Sequence, residues 1–357
     1  MKKLTFILFL FCMQLHAQES QHIILITTDG FRWQEFYKGL DTAIANNKKF
    51  NEGDSAGIYN RYYATNKMES RKKILPFIWH EIAAKGQLFG NREVGNNMQV
   101  ANPYWFSYPG YNEILSGYAD TLINSNEYAP NPNITLPEYL HQLPNFKNKV
   151  MAFGAWDAFD RILNEKRSGI PVISAFDKLG GNKPTMQEQL INSMKQDSYK
   201  PFGEEECLDV FTHYAAMDAL QNKHPRFLYI AYGETDEWAH AGKYRSYLDA
   251  AHQVDAWIAA IWQQIQSDPF YKDKTTLLIT TDHGRGDKIK SEWTSHGSRT
   301  AGSNEIWMAA IGAGIEPKGV RNEHTQLFQK QIAQTIAKLL GVSYQPTYPT
   351  GEAIRVR

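Results

Sequence analysis

The strongest constraint on the fold is a short apolar run, Thr275 to Thr281, that stops at Asp282-His283-Gly284. Leu277, Leu278 and Ile279 with their flanking threonines are apolar or β-branched at successive positions, so both faces of the strand need cover, as inside a parallel sheet. The pattern occurs twice more. Ile23 to Thr28 ends in Asp29-Gly30, and Phe227 to Tyr232 leads into Gly233-Glu234-Thr235-Asp236. Open α/β sheets bind ligands at the carboxyl ends of their strands. Three such ends each deliver an aspartate, and with His240, His283 and His296 they predict a site for two metal ions. Carboxylates and imidazoles without thiolates suit zinc or another borderline divalent ion.

Val150 to Gly154 and Ile306 to Ile311 read as further buried strands. Helical spacing predicts helices over Glu69 to Lys85, Leu136 to Leu143, Tyr244 to Gln266 and Thr325 to Leu340, the last stopped by Gly341. The expectation is a three-layer α/β/α architecture around a central, mostly parallel sheet. With 357 residues, 42% of them hydrophobic, the chain can fill one large core, so a single domain spanning 18–357 is expected. A small cap or insertion is expected around 165–210, where a Gly-Gly-Asn-Lys-Pro loop interrupts the pattern.

Thirty-eight basic residues balance thirty-eight acidic ones, which gives no bulk electrostatic case for a nucleic-acid partner. Met1-Lys2-Lys3, the apolar stretch Leu4 to Leu15 and the exit His16-Ala17-Gln18 read as a secretory signal peptide over 1–17. That stretch is shorter than the roughly 20 apolar residues of a membrane span, and no later stretch is long enough, so the mature chain is expected to be periplasmic or secreted without a stable span. Bulky Leu10 and Phe11 before Cys12 argue against a lipid anchor there. Cys207 lies in an acidic run that disfavours a thiolate and reads as an ordinary cysteine.

The segment Phe106-Ser107-Tyr108-Pro109-Gly110 opens a short helix closed by Gly117. A serine there is either an N-cap or a nucleophile, because the free N–H groups and dipole of a helix amino terminus favour an alkoxide and a phosphate alike. Asp236 and His240, four apart on a helical turn, can meet one ion. His252, inside the long helix from Tyr244, reads as a packed or solvated histidine and not as a ligand. Trp156 and Arg161, just past the Val150 strand, lie on the expected ligand edge and are candidate substrate contacts. Arg161, Arg285 and Lys288 are the cations able to meet a third phosphoryl oxygen.

These motifs resemble the alkaline phosphatase superfamily, and within it the nucleotide pyrophosphatase/phosphodiesterase branch and related secreted alkaline phosphatases. The likeness runs from Ile23 to about Gly341. It rests on Asp29-Gly30-Phe31-Arg32, Ser107 before its helix, Asp236 with His240, Thr281-Asp282-His283-Gly284, and His296-Gly297. The resemblance implies that Asp236, His240 and His296 hold one zinc ion, that Asp29, Asp282 and His283 hold a second, and that Ser107 bridges to it as the attacking group. It also implies an asparagine about twenty residues after the nucleophile that donates to a phosphoryl oxygen, matched here by Asn124, with Asn126 as the alternative. The phosphodiesterase branch commonly has threonine where this chain has Ser107. A sulfatase signature, Cys or Ser followed by x-Pro-x-Arg, is not met by Ser107-Tyr108-Pro109-Gly110-Tyr111.

The expected activity is metal-dependent hydrolysis of phosphate mono- or diesters through a phosphoserine, on a small substrate such as a nucleotide, sugar or lipid head group. Two alternatives stay open: a cofactor-independent phosphoglycerate-mutase-like phosphotransferase, and a catalytically degenerate protein that binds a phosphorylated ligand.

Overall fold

The computed structural model describes residues 20–357. The predicted signal peptide, 1–17, lies outside the described residues. Ten strands are present among them: β1 (His22–Thr28), β2 (Gln87–Phe89), β3 (Asn96–Gln99), β4 (Val150–Gly154), β5 (Val172–Ser174), β6 (Phe227–Tyr232), β7 (Thr275–Thr280), β8 (Met308–Gly312), β9 (Gly319–Val320) and β10 (Thr325–Phe328). Eight form one sheet in the order β5-β4-β6-β1-β7-β8-β2-β9, and β10 pairs with β3 outside it. From β5 to β7 every pairing is parallel. β8 runs antiparallel to both its neighbours, so the sheet is mostly but not wholly parallel.

The buried strands divide their side chains between two cores, as the apolar runs require. Ile24, Ile26, Leu228, Ile230, Leu277 and Ile279 pack on one face, against Phe36, Leu248, Val254 and Ile258. Ile23, Leu25, Tyr229 and Leu278 pack on the other, against Tyr108, Ile114, Ile332 and Ile336. Helices therefore cover both faces, which is the three-layer arrangement that successive apolar residues predict. Residues 165–210 divide between the sheet and its cover: Val172–Ser174 is the edge strand β5, and Met186–Asp197 is a helix held by a capping box of Thr185 and Glu188.

Two expected helices take a different form. The pattern from Glu69 to Lys85 is cut at Pro76, which supplies no N–H and disfavours helix at Leu75. A helix over Lys67–Ile74 is followed by a π-helical turn over Ile78–Ile82 and a short continuation, Ala83–Lys85. The N–H groups of Phe77 and Ile78 are satisfied from far away, by the buried carboxylate of Asp255 at 2.7 and 2.9 Å. Burial pushes the pKa of Asp255 up to about 7. Asp255→Ala leaves two buried donors without acceptors and is expected to lower stability by about 2 kcal/mol in urea denaturation. The closing helix is shorter than expected as well, Ile332–Leu339, because Thr325–Phe328 forms β10 alongside Asn96–Gln99. Its β-branched and aromatic residues suit that pairing.

The remaining long helix runs over Tyr244–Ser267, and His252 within it is exposed, its Nδ1 donating to the Ile74 carbonyl at 2.9 Å. Cys207 is buried, and burial pushes its pKa up to about 11, so its thiol is inert.

Candidate active site at the strand ends

The carboxyl ends of β6, β1 and β7 are neighbours in the sheet, and this adjacency brings the three aspartates together. Asp29 follows β1. Gly30 then turns with φ +58°, and a Cβ there would lie 2.5 Å from Asp236 Oδ1 and 3.1 Å from His283 Cε1, so only glycine permits the packing. Asp282 Oδ1 accepts the Gly30 N–H at 3.0 Å, which ties the ends of β1 and β7 to each other.

Ser107 is the first residue of the Ser107–Ser116 helix, not its cap. The cap position is Phe106, and no side chain closes it. The Ser107 hydroxyl is left facing His283 Nε2 at 3.3 Å. The turn before it is strained, with Trp105 at φ +57°. Asn102 holds it through Oδ1, which accepts the N–H groups of Tyr104 and Trp105. Behind the turn, buried Glu113 accepts from the N–H groups of Ala101, Asn102 and Lys330. Gly110 permits the approach of this helix to β7, since a Cβ there would meet the Asp282 carbonyl at 2.5 Å.

One group of ligand atoms centres on His283. Its Nδ1 donates to the Gly284 carbonyl at 2.9 Å, which turns the other ring nitrogen, Nε2, towards the site. Asp29 Oδ1 lies 3.3 Å from that nitrogen and Asp282 Oδ2 3.4 Å. Both oxygens are buried and have no hydrogen-bond donor. Asp29, Asp236 and His283 offer ligand atoms within 4.8 Å of one another, with Asp282 Oδ2 and the Ser107 hydroxyl set against the same His283 nitrogen, and carboxylates with an imidazole are donors that suit a divalent cation. The second group joins Asp236, His240 and His296. His240 Nε2 lies 2.8 Å from Asp236 Oδ2 and 3.0 Å from His296 Nε2, and its side chain is 44% exposed, which marks the mouth of the site. The rings of His283 and His296 stack with centroids 3.9 Å apart, so the two groups adjoin.

Titration follows from this crowding. Burial, and then Asp236, pushes the Asp29 pKa up; burial, and then Asp29, does the same to Asp282. Burial also works against a charged His283, but Asp282, Asp29 and Asp236 outweigh it and its pKa is pushed up to about 9. For Asp236 burial is overcome by Arg285, His240 and His296, which hold the carboxyl well below its usual range. A proton on His283 therefore stands where an ion would bind. Below about pH 9 an ion must displace that proton, so apparent zinc affinity is expected to rise by up to roughly tenfold per unit from about pH 6 to 9. Competitive zinc titration across that range checks it.

All seven residues assigned above to ions, Ser107 among them, converge. The substrate contacts fare differently. Asn124 is exposed, and Asn126, the alternative, lies at the helix start, its Oδ1 accepting the Tyr108 N–H at 3.0 Å. A two-residue register in a turn-rich loop cannot be read from residue types. Arg161 is engaged with the Tyr128 carbonyl and with Glu127, Asp157 and Asp160. Trp156 is half-buried, packs edge-on against Phe159, and pairs with Glu206 through its backbone. Lys288 is exposed. Arg285 is fully buried and points at Asp236. Two participants were not singled out from sequence. Tyr111 donates to Asp29 Oδ2 at 2.8 Å, and its position four residues after Ser107, on the same helix face, is the signal that could have found it. Glu206 is buried beside Asp29 and Asp236 with Oε1 unpartnered, and no local pattern marks it.

A family model described as the metalloenzyme superfamily matches residues 107–344. The fold is similar to that of the alkaline phosphatase PafA, with TM-score 0.61 and 10% identity, covering 94% of this chain and 98% of that one. It is also similar to a 2-O GAG sulfatase, at TM-score 0.56 and 14% identity over 92% of this chain and 72% of the other. Among curated proteins, a 2,3-bisphosphoglycerate-independent phosphoglycerate mutase from Gracilaria tenuistipitata var. liui is 24% identical over 289 residues, 77% of this chain. The chain spans about half of that relative, 54% of its length.

Proposed function

Because the chain belongs to the metalloenzyme superfamily, whose match covers well over half of it, we propose that it is an exported two-zinc phosphoesterase using Ser107 as nucleophile. One observation carries this reading: Ser107 Oγ, Asp29 Oδ1 and Asp282 Oδ2 all lie within 3.4 Å of one imidazole nitrogen of His283, beside a second ligand group. Asp29, Asp282 and His283 with Ser107 would hold one ion, and Asp236, His240 and His296 the other. Bound there, the ions would supply concentrated positive charge for the attacking and leaving oxygens of an in-line displacement.

The chain's own groups do the rest. Ser107 attacks phosphorus, the bond to the leaving alcohol breaks, and a phosphoserine forms; water then displaces the serine and releases phosphate. The amino terminus of the Ser107–Ser116 helix favours the anionic phosphoryl group. Asn126, anchored through Oδ1, keeps its amide N–H groups for a phosphoryl oxygen. Tyr111 orients Asp29 by donating to the oxygen that does not face His283.

The substrate on this reading is a small phosphorylated nucleotide, sugar or lipid head group, met in the periplasm or outside the cell. Among the described residues no helix is long and apolar enough to cross a membrane. Parallel assays with p-nitrophenyl phosphate, bis-p-nitrophenyl phosphate and p-nitrophenyl sulfate test the proposal. Zinc-dependent release from one of the phosphate esters is expected, and turnover of the sulfate alone would overturn it. The likeness to a phosphoglycerate mutase supports a second reading, phosphoryl transfer between hydroxyls of one substrate. Formation of 2-phosphoglycerate from 3-phosphoglycerate would establish it.

A further inference from the structure

We infer that Arg285 is a positioning residue that builds the Asp236, His240 and His296 ion site by joining its two separate halves. Asp236 and His240 come from the Glu234–His240 helix, whereas His296 comes from the loop that leaves β7. Among the described residues no backbone hydrogen bond joins one half to the other. Arg285 spans the gap with all three nitrogens of its guanidinium. Nε donates to the Trp293 carbonyl at 2.8 Å and Nη2 to the Thr294 carbonyl at 2.7 Å, while Nη1 donates to Asp236 Oδ1. A backbone bond from Gly286 N–H to the Ser295 carbonyl, 3.1 Å, closes the neck of the same loop. The segment 286–295 is thus pinched off, and the residue that emerges from the pinch is His296.

The clamp cannot swing aside cheaply, because Arg285 is fully buried and releasing it would leave the buried Trp293 carbonyl, the part-buried Thr294 carbonyl and a guanidinium without partners. A second buried arginine braces it from outside: Arg32 Nη1 donates to the Gly286 carbonyl at 2.9 Å. By occupying Oδ1, Arg285 sets the rotation of the Asp236 carboxylate so that Oδ2 faces His240. A ligating carboxylate held by an outer donor binds its ion with less reorganisation, and loss of such partners typically costs 10- to 100-fold in affinity. Lysine keeps the charge but cannot make the planar three-way contact.

This inference rests on the reading of Asp236, His240 and His296 as ion ligands, and not on the reaction. The test uses the full chain stripped with a chelator and retitrated with Zn²⁺, in an Asp282→Asn background that leaves this site as the one competent to bind. Adding Arg285→Lys should weaken zinc binding by about 10- to 100-fold, and the ligand-field absorption of bound Co²⁺ should change. The metal-free urea midpoint, measured alongside, separates site disorder from unfolding, and Arg285→Gln repeats the comparison without the charge. Unchanged zinc affinity and an unchanged Co²⁺ spectrum in both variants would overturn the role of Arg285 while leaving the ion site standing. Absence of zinc binding with Arg285 intact would overturn the ion site itself, and the clamp with it.

Discussion

Ser107→Ala is expected to lower phosphoesterase turnover by about 10⁴-fold, equivalent to about 5 kcal/mol of transition-state stabilisation, while both ions stay bound. The hydroxyl makes no structural contact that alanine would forfeit. It does not cap its helix, and its neighbour in the site is His283 Nε2. Steady-state kinetics with the preferred phosphate ester, together with zinc stoichiometry by atomic absorption, separate the loss of a nucleophile from the loss of the site. Retention of wild-type rate would remove Ser107 from the mechanism. Acid-quenched wild-type enzyme incubated with ³²P-labelled substrate should retain label, and the alanine variant should not.

Asp282→Asn is expected to cost one ion and about 10³-fold in rate. The substitution is conservative in shape. An amide oxygen at the Oδ1 position still accepts the Gly30 N–H, so the tie between the ends of β1 and β7 survives. What changes is the other atom. Asp282 Oδ2 is a buried, undonated carboxylate oxygen 3.4 Å from His283 Nε2, and asparagine puts an NH₂ donor there, which repels a cation. Zinc stoichiometry should fall from two to one with little change in the metal-free urea midpoint. Two ions in this variant would exclude Asp282 as a ligand.

Much of this site was legible in the sequence because its chemistry is attached to strand ends. A run such as Leu277-Leu278-Ile279 declares burial on both faces by itself, and the acid after it is placed at the rim by chain continuity alone. The candidate ligands Asp29, Asp236, His240, Asp282, His283 and His296 could therefore be read one element at a time. Pro76 carried its helix break openly, yet periodicity on both sides of it masked the interruption. Thr325–Phe328 was harder, since its partner Asn96–Gln99 lies more than two hundred residues away and is not apolar.

The chain by itself determined which residues end the buried strands, and hence which carboxylates and imidazoles lie on one edge, because that follows from local hydrophobic pattern and backbone direction. Only the tertiary structure decided that β6, β1 and β7 are side by side, that β8 runs against them, that Asn126 bonds the start of the Ser107–Ser116 helix, and that Arg285 faces Asp236. Each of these depends on contacts between segments far apart in sequence, whose energies are set by packing and by satisfying buried polar groups, and such terms leave no trace in any single window of residues.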